Sequence, residues 1–520
     1  MMPLLAGWYD RILANRLTKW ISISYEQTAF QKGKSTIHQI FTLRLLMLIC
    51  KRCKKILYIA FFDIEKAFDK VSRLLLLKKL IQLGIGHTMF EAIKRMYSCT
   101  HCILKFMGTL SNQFETCTGI KQGAHSSVLL FIIFMDGAIN YLKSKCDTET
   151  ILEDLHCLLH ADDTAVLSTN INKFITKCDH LIDYYNENKL KLNLNKSAYM
   201  IINAKKNDKK VPLQLKSGDI KYESTYIYLG APISDSGSIA QDLKEHLKLR
   251  RPNVLVKLGK FISNNYLCPI SIKLKVLQAC VNSSLTYSCE TWGATSLSQL
   301  EVLHRKTVKM ALGIRTNTPN DIVMIESNCV PIISRVHQQQ QTFWTKLKQD
   351  MTEHPDSPLA RLVNMGLEFE LPYLKHYNKL IDLRLNNIQS FGVDALTAAK
   401  SHIRTEGLED PLSKYGQYLS VNPDLEHCDF YKNPIMAESD RILLTRYRCG
   451  SHKLRIETGR WDKTPQSDRL CKCNKESQTV EHVLYRCTIT KDLSKPDDRF
   501  ANYMKTKNCA NTLRKIEAIL

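Results

Sequence analysis

The alternation of apolar and polar residues predicts a helical start, a strand-built middle and a long helical remainder. Trp8, Ile12, Leu13, Leu17, Trp20 and Ile21 recur at helical spacing, and residues 8–48 read as two helical segments around a loop. Ile56 to Phe62 is a short apolar run of strand formers that ends on Asp63. Behind it, Val71, Leu74, Leu75, Leu77 and Leu80 make the apolar face of a helix over 65–83, stopped by Gly84 and Gly86. The stretch up to Thr118 has helix-then-hairpin character, and Val128 to Phe134 is apolar enough for a buried helix. Two further apolar runs of strand length flank Asp162-Asp163, the pattern of strand, tight turn, strand. From about 240 to 320 the pattern is helical and basic. Residues 320–440 are helical and connective, with no legible chemistry.

Adjacent carboxylates repel each other, and a bound divalent cation that prefers hard oxygen ligands, such as magnesium, removes that cost. If the strands ending at Asp63 and Asp162 are neighbours, the two acids could share two ions roughly 3.5–4 Å apart for in-line attack at phosphorus. Asp162 and Asp163 equally suit a plain hairpin turn, and spacing alone leaves both readings open. Charge adds weight to the first. The 520 residues, too many for one ordinary domain, carry 73 basic against 51 acidic side chains, a net +22, with a pI near 9.2. Such a surface favours polyanions, of which nucleic acid is the commonest. A membrane partner is not expected. No basic amphipathic anchor stands out, and the longest uncharged apolar run, Val128 to Met135, is far below the roughly 18 residues of a span. The first residues lack a secretory signal, so the 18 cysteines are expected to be mostly reduced. The pairs Cys50/Cys53 and Cys99/Cys102 lie too far apart for a zinc ribbon.

Five blocks stand in a fixed order: Phe61-Phe62-Asp63-Ile64-Glu65-Lys66-Ala67-Phe68-Asp69, Gly119-Ile120-Lys121-Gln122-Gly123 followed by Ser127, His160-Ala161-Asp162-Asp163, Leu192-Asn193-Leu194-Asn195-Lys196-Ser197, and Tyr228-Leu229-Gly230. Together they resemble the reverse transcriptases of non-LTR (LINE-type) retrotransposons. The resemblance covers about residues 10–315 and 441–490. It implies an α+β right-hand polymerase: a palm of antiparallel strands backed by helices, with partial fingers and a helical thumb. The expected divisions are partial fingers at 1–55, the palm with the remaining fingers at 56–238, a thumb at 239–320, a helical connector at 321–440 and a zinc-knuckle-like module at 441–520. The implied activity is RNA-directed DNA synthesis from deoxynucleoside triphosphates on an RNA template and a DNA primer or target. The implied location is a nuclear or cytoplasmic ribonucleoprotein. By the same resemblance Asp63, Asp162 and Asp163 hold two Mg2+ ions, and Lys196 protonates the departing pyrophosphate. Lys34 lies near the triphosphate, and Phe68 excludes ribonucleotides. Gln122, Gly123 and Ser127 handle template and nucleotide, while Tyr228, Leu229 and Gly230 grip the primer.

Departures from the family pattern set up a rival expectation. Ala124-His125-Ser126-Ser127-Val128 stands where the family has Asp-Pro-Leu-Ser-Pro, so that loop should be less rigid. Lys34 replaces an arginine and loses its bidentate fork. His160 replaces a tyrosine or phenylalanine and can be charged. The fingers sequence also begins abruptly, as in a truncated chain. These features fit a remnant that binds nucleic acid without polymerising. A maturase-like splicing factor on the same palm is a third and weaker alternative.

Near the C-terminus, Cys471, Cys473, His482 and Cys487 offer three thiols and an imidazole, a donor set suited to tetrahedral zinc. The Cys-x-Cys spacing is tighter than in common fingers. Leu443 to Gly450 and Trp461 resemble the stretch before the family's C-terminal Cys-Cys-His-Cys knuckle. Zinc there would order the tail, whose basic surround could contact RNA or target DNA.

Overall fold

The computed structural model describes residues 4–98, 100–205, 211–382, 390–432, 436–493 and 499–519. It divides into two compact units. The first comprises Met1–Lys244, Glu290–Ala294 and Phe343–Asn378; the second comprises Glu245–Cys289, Thr295–Thr342 and Lys379–Leu520. The segment Phe343–Asn378, expected within a connector, thus packs with the first unit.

The first unit is built on a six-stranded mixed sheet. Leu57–Phe62, buried along its whole length, lies at its centre. Asp163–Ser168 flanks it on one side and Ala198–Ile202 on the other, both antiparallel to it. Cys157–His160 completes one edge by pairing back on Asp163–Ser168. Gly218–Tyr222, parallel to Ala198–Ile202, and Leu213–Leu215 complete the other. A central strand hidden on both faces requires an unbroken apolar run, which is what Leu57 to Phe62 supplies. Helices cover the sheet, among them Ile171–Glu187 and the 21-residue His125–Lys145. Their core includes Phe131, Phe134, Leu142, Phe174 and Leu181. The unit is α+β, a mixed sheet backed by helices, as expected of the palm.

Three expectations need correction. His125–Lys145 is long and apolar enough to cross a membrane by length and composition, although no unbroken apolar run announced it. Asp136 and Gly137 interrupt the run without ending the helix, and most of the helix is buried in the core of this unit. Its N-terminus is capped from far away. The buried Asp10 carboxylate accepts from the backbone N–H of His125 at 2.5 Å and of Ser126 at 3.3 Å, satisfying donors that the helix leaves free. Secondly, the helix expected over 65–83 is two helices, Ala67–Lys70 and Arg73–Gln82. Val71 is extended between them, which turns carbonyls outward. Gly119 N–H donates to Val71 O at 2.9 Å and Ile120 N–H to Phe68 O at 3.1 Å, so the break anchors the Gly119 loop. Thirdly, His160 is less ready to charge than its chemistry suggests, because burial lowers its pKa.

The second unit is mainly helical among its described residues. It includes Ser298–Leu312, Asn320–Ser327, Glu438–Arg448 and Lys507–Ile519. At its centre Glu326 and Arg448, both fully buried, form an ion pair at 2.8 Å.

Candidate active site and metal centre

Strand register brings the acids together. Phe62 pairs with Thr164 across the antiparallel ladder, so the next residues outward are Asp63 and Asp163. His160 pairs with Asp163, leaving Ala161 and Asp162 as the turn of that hairpin, with Ala161 at φ 60°. Two anchors hold the Asp63 backbone. Its N–H donates to Ser197 Oγ at 3.2 Å, and its carbonyl accepts from Asn193 N–H at 2.8 Å. On the other side the hairpin edge is extended by residues 26–28. Gln27 bridges Leu159 in parallel, and its side chain accepts from the Ala161 N–H at 3.1 Å, which fixes the turn.

The electrostatics suit a cation. Burial first, then the charges of Asp162 and Asp63, pushes the Asp163 carboxyl up to about 6. Asp162 is likewise raised, by burial and then by Asp63. The site therefore holds neighbouring carboxylates that oppose one another's ionisation, a cost that a divalent cation with oxygen ligands removes. Lys196 stands beside them: its ammonium is 3.9 Å from Asp63 Oδ2 while its side chain is largely exposed.

Sequence reasoning missed three neighbours. Tyr226 stacks on Phe61 with ring centres 4.3 Å apart, and its hydroxyl pKa is pushed up to about 12 by burial and the charges of Asp163 and Asp63. Thr28 Oγ1 hydrogen-bonds His160 Nδ1 at 2.9 Å. Gln27 sits fully buried under the turn. All three depend on contacts between distant segments, and only the aromatic alternation of Tyr226 and Tyr228 could have hinted at one of them.

The remaining expected residues fall into two groups. Gln122 and Gly123 are exposed on the loop before the apolar helix, and the Gln122 amide donates to Asp69 Oδ1 at 3.1 Å. Leu229 and Gly230, both at positive φ, form the two-residue turn between Thr225–Tyr228 and Ala231–Ser234. Tyr228 packs on Phe61 from this hairpin, its ring buried. Three other residues face inward. Ser127 is buried, and its hydroxyl bonds Tyr97 Oη at 2.8 Å, so a direct template contact is withdrawn in favour of a support from beneath. Phe68 stacks on Phe131 at 4.1 Å against the core. Lys34 is also committed: its ammonium pairs with Asp350 at 2.6 Å and lies 3.8 Å over the Tyr25 ring.

Gly119 has a requirement that no other residue meets. It adopts φ +79°, and a Cβ there would lie 2.9 Å from the Asp69 carbonyl oxygen. Gly119→Ala should cost about 1–3 kcal/mol, read as a lower urea midpoint; an unchanged midpoint contradicts the packing described.

In the second unit, the ligand atoms of Cys471, Cys473, His482 and Cys487 all lie within 4.8 Å of one another. Cys471 and Cys487 sulfurs are 3.6 Å apart, too far for a disulfide and close to the separation of two thiolates on one tetrahedral zinc. Cys473 Sγ lies 3.2 Å from His482 Nε2. The other ring nitrogen, Nδ1, faces Glu476 at 3.2 Å, the carboxylate partner that orients a metal-binding imidazole. Although burial acts to raise it, hydrogen bonds from the Lys475 backbone and His482 bring the Cys473 thiol down to about 6, towards the thiolate that a metal needs. The donor set and its geometry fit zinc. Cys50, in contrast, is buried with its thiol pushed up to about 12, and Cys99 lies outside the described residues.

Comparison with known proteins agrees with this geometry. Residues 7–233 match the family described as reverse transcriptase (RNA-dependent DNA polymerase). The chain is 22% identical over 501 residues to the Retrovirus-related Pol polyprotein from type-1 retrotransposable element R2 of Popillia japonica, covering 92% of this chain and 65% of that protein. It is 24% identical over 252 residues to the corresponding polyprotein of type-2 element R2DM of Drosophila melanogaster, covering 46% and 24%. With the type-1 R2 polyprotein of Nasonia vitripennis it shares 28% identity over 160 residues, 31% and 16% of the two chains. Among solved structures, telomerase from Candida albicans aligns with a TM-score of 0.31 at 12% identity, covering 65% of this chain and 55% of that one. The chain spans between 16% and 65% of the length of these curated relatives. Residues 7–233 are a reverse transcriptase domain. Beyond that domain the chain is similar to the Pol polyproteins of R2 retrotransposable elements.

Proposed function

We propose that the chain is an RNA-directed DNA polymerase that extends the 3′-hydroxyl of a DNA primer along an RNA template. The observation that carries this reading is the convergence of Asp63, Asp162 and Asp163 at the end of three adjoining strands, with Lys196 beside them. Asp63 and Asp162 would hold two Mg2+ ions, with Asp163 in support; bound there, they lower the pKa of the 3′-hydroxyl and neutralise the triphosphate. In the transfer, the 3′-oxygen bonds the α-phosphorus and its proton leaves to solvent. The bond from that phosphorus to the bridging oxygen breaks, and pyrophosphate departs. Lys196, exposed next to Asp63, would give a proton to that leaving group. Gln122 and Gly123 on their exposed loop suit the template, and the Leu229-Gly230 turn suits the primer backbone. Phe68 would gate the sugar from its stack on Phe131. Lys34 would reach a triphosphate only after its pair with Asp350 opens.

That pair is the observation behind the second reading, a nucleic-acid-binding protein that does not polymerise. One experiment separates them: purified chain, an RNA template with an annealed DNA primer, Mg2+ and deoxynucleotides. Extension supports the polymerase. Template binding without extension, also in Asp350→Asn where Lys34 is released, supports the second reading.

The C-terminal cluster would take one zinc ion. Metal analysis should find about one zinc per chain, lost in Cys487→Ser, with residues 470–490 becoming sensitive to protease. Stoichiometric zinc in that variant would remove Cys487 from the ligand set.

A further inference from the structure

The second unit contains a cavity of about 660 Å³ that none of this chemistry uses. Its wall combines the turn after Ser298–Leu312, the helix Glu438–Arg448 and the loop 451–454. That volume is in the range of sites that hold a nucleotide-sized group. Its charge is lopsided. Arg315, Arg446 and Lys453 line it, and among the lining residues Glu517 is the one acid. Glu517 is already engaged, accepting from Tyr447 Oη at 2.9 Å.

Among the described residues neither arginine is paired with an acid. Arg446 donates through Nε to the Gly313 carbonyl at 2.9 Å, which leaves the remaining nitrogens of its fork to other acceptors. The Arg315 guanidinium lies over the Trp461 ring, 3.5 Å from its centre. Burial and then the neighbouring Arg446 charge lower its pKa, so the two guanidiniums repel each other. Like charges positioned this way call for a counter-anion, and the described residues supply none. His452, also in the lining, adds a neutral donor. Its Nδ1 accepts from Leu454 N–H at 3.3 Å, so its proton sits on Nε2. Burial, reinforced by Arg460, Lys414 and Arg315, takes its pKa down to about 3 and keeps it uncharged. The far wall is tied to the cysteine cluster: Gln478 donates to Cys471 Sγ at 3.8 Å and accepts from Arg455 N–H at 2.6 Å.

We infer that this cavity binds a phosphodiester of single-stranded nucleic acid, with Arg315 and Arg446 as the anion clamp and Lys453 at its mouth. Paired guanidinium forks match phosphate oxygens in geometry as well as charge. The inference adds a second polynucleotide site to the proposed polymerase and does not require that the chain polymerise.

The test measures binding of the full chain to a short labelled RNA over a range of salt. The double variant Arg315→Gln/Arg446→Gln should bind about tenfold more weakly at ~0.1 M salt. The slope of log affinity against log salt should fall by about 0.7 for each phosphate that the variant no longer neutralises. Lys453→Gln is the control for folding. Its side chain is exposed, and it should lower the slope with an unchanged melting temperature. Single-stranded DNA of the same length should show the same dependence, because the clamp reads phosphate. Affinity and slope unchanged in a folded double variant overturn the inference. If the double variant does not fold, an unchanged slope in Lys453→Gln does so. Displacement of RNA-free chain to phosphatidylserine vesicles, without an effect of the variants on RNA binding, assigns the cavity to lipid and also overturns it. Wild-type chain that shows these salt effects yet extends no primer loses the polymerase reading alone.

Discussion

Asp162→Ala will lower primer extension at least about a thousandfold, because a ligand holding a catalytic cation contributes several kcal/mol to the transition state and ~4 kcal/mol corresponds to that factor. The substitution isolates this loss from any damage to the fold. Asp162 occupies a hairpin turn next to Asp163, where burial and the charge of Asp63 already raise its pKa. Removing it relieves repulsion, so the variant should melt no lower than wild type. Mg2+ should raise the melting temperature of wild type and leave the variant unmoved, since a ligand stabilises only the state that binds it. RNA binding should be retained. Extension within tenfold of wild type would falsify the assignment of Asp162 to the cation. Lower melting together with lost activity would instead return Asp162 to the role of a turn residue.

The parts of the first unit that were legible in the sequence are those decided locally. Ile56 to Phe62 and the two runs around Asp162 are continuous, apolar and of strand length, so burial on both faces leaves them little alternative. The order of the motifs then suggested which strands adjoin. The helix over 65–83 was misjudged because an apolar periodicity cannot reveal that Val71 turns its carbonyl toward Gly119, nearly fifty positions away. Distance along the chain hides contacts generally. The Asp10 carboxylate capping Ser126 is 116 positions off, and Lys34 meets Asp350 across 316. Neither residue announces its partner, because an acid in a helix and a lysine in a loop look alike whether solvated or paired. The cysteine cluster was legible for the opposite reason: four soft ligands within 17 positions need only a short loop to meet. The residues packed around the acids, Gln27, Thr28 and Tyr226, carry no signature of their own, since each acts through a neighbour that folding brings to it.

Glu326→Ala should lower stability by about 3–5 kcal/mol, as expected when one partner of a buried ion pair is removed and the other is left without compensation. Glu326 accepts from Arg448 through both carboxylate oxygens, at 2.8 and 3.2 Å. It also accepts from Tyr418 Oη at 2.8 Å and Tyr431 Oη at 2.9 Å. Truncation therefore leaves a buried guanidinium without its counter-charge, with the Val421 carbonyl as a remaining acceptor, and takes an acceptor from two buried tyrosine hydroxyls. Against the burial that raises it, Arg448 and these donors hold the Glu326 pKa below its ordinary value. The sign follows. A depressed carboxyl stabilises the fold above its unfolded pKa of about 4.3, and that contribution is lost as pH falls through the folded pKa. Wild type should accordingly lose stability in acid, and Glu326→Ala should show a flatter dependence over the same range. The pair can be told from its surroundings by a double-mutant cycle. Glu326→Leu with Arg448→Met replaces two charges by apolar side chains, and it should be more stable than either single variant, with a coupling of about 2 kcal/mol or more. Additive losses in urea unfolding would mean that the two charges do not depend on each other, and would overturn the ion pair as a source of stability.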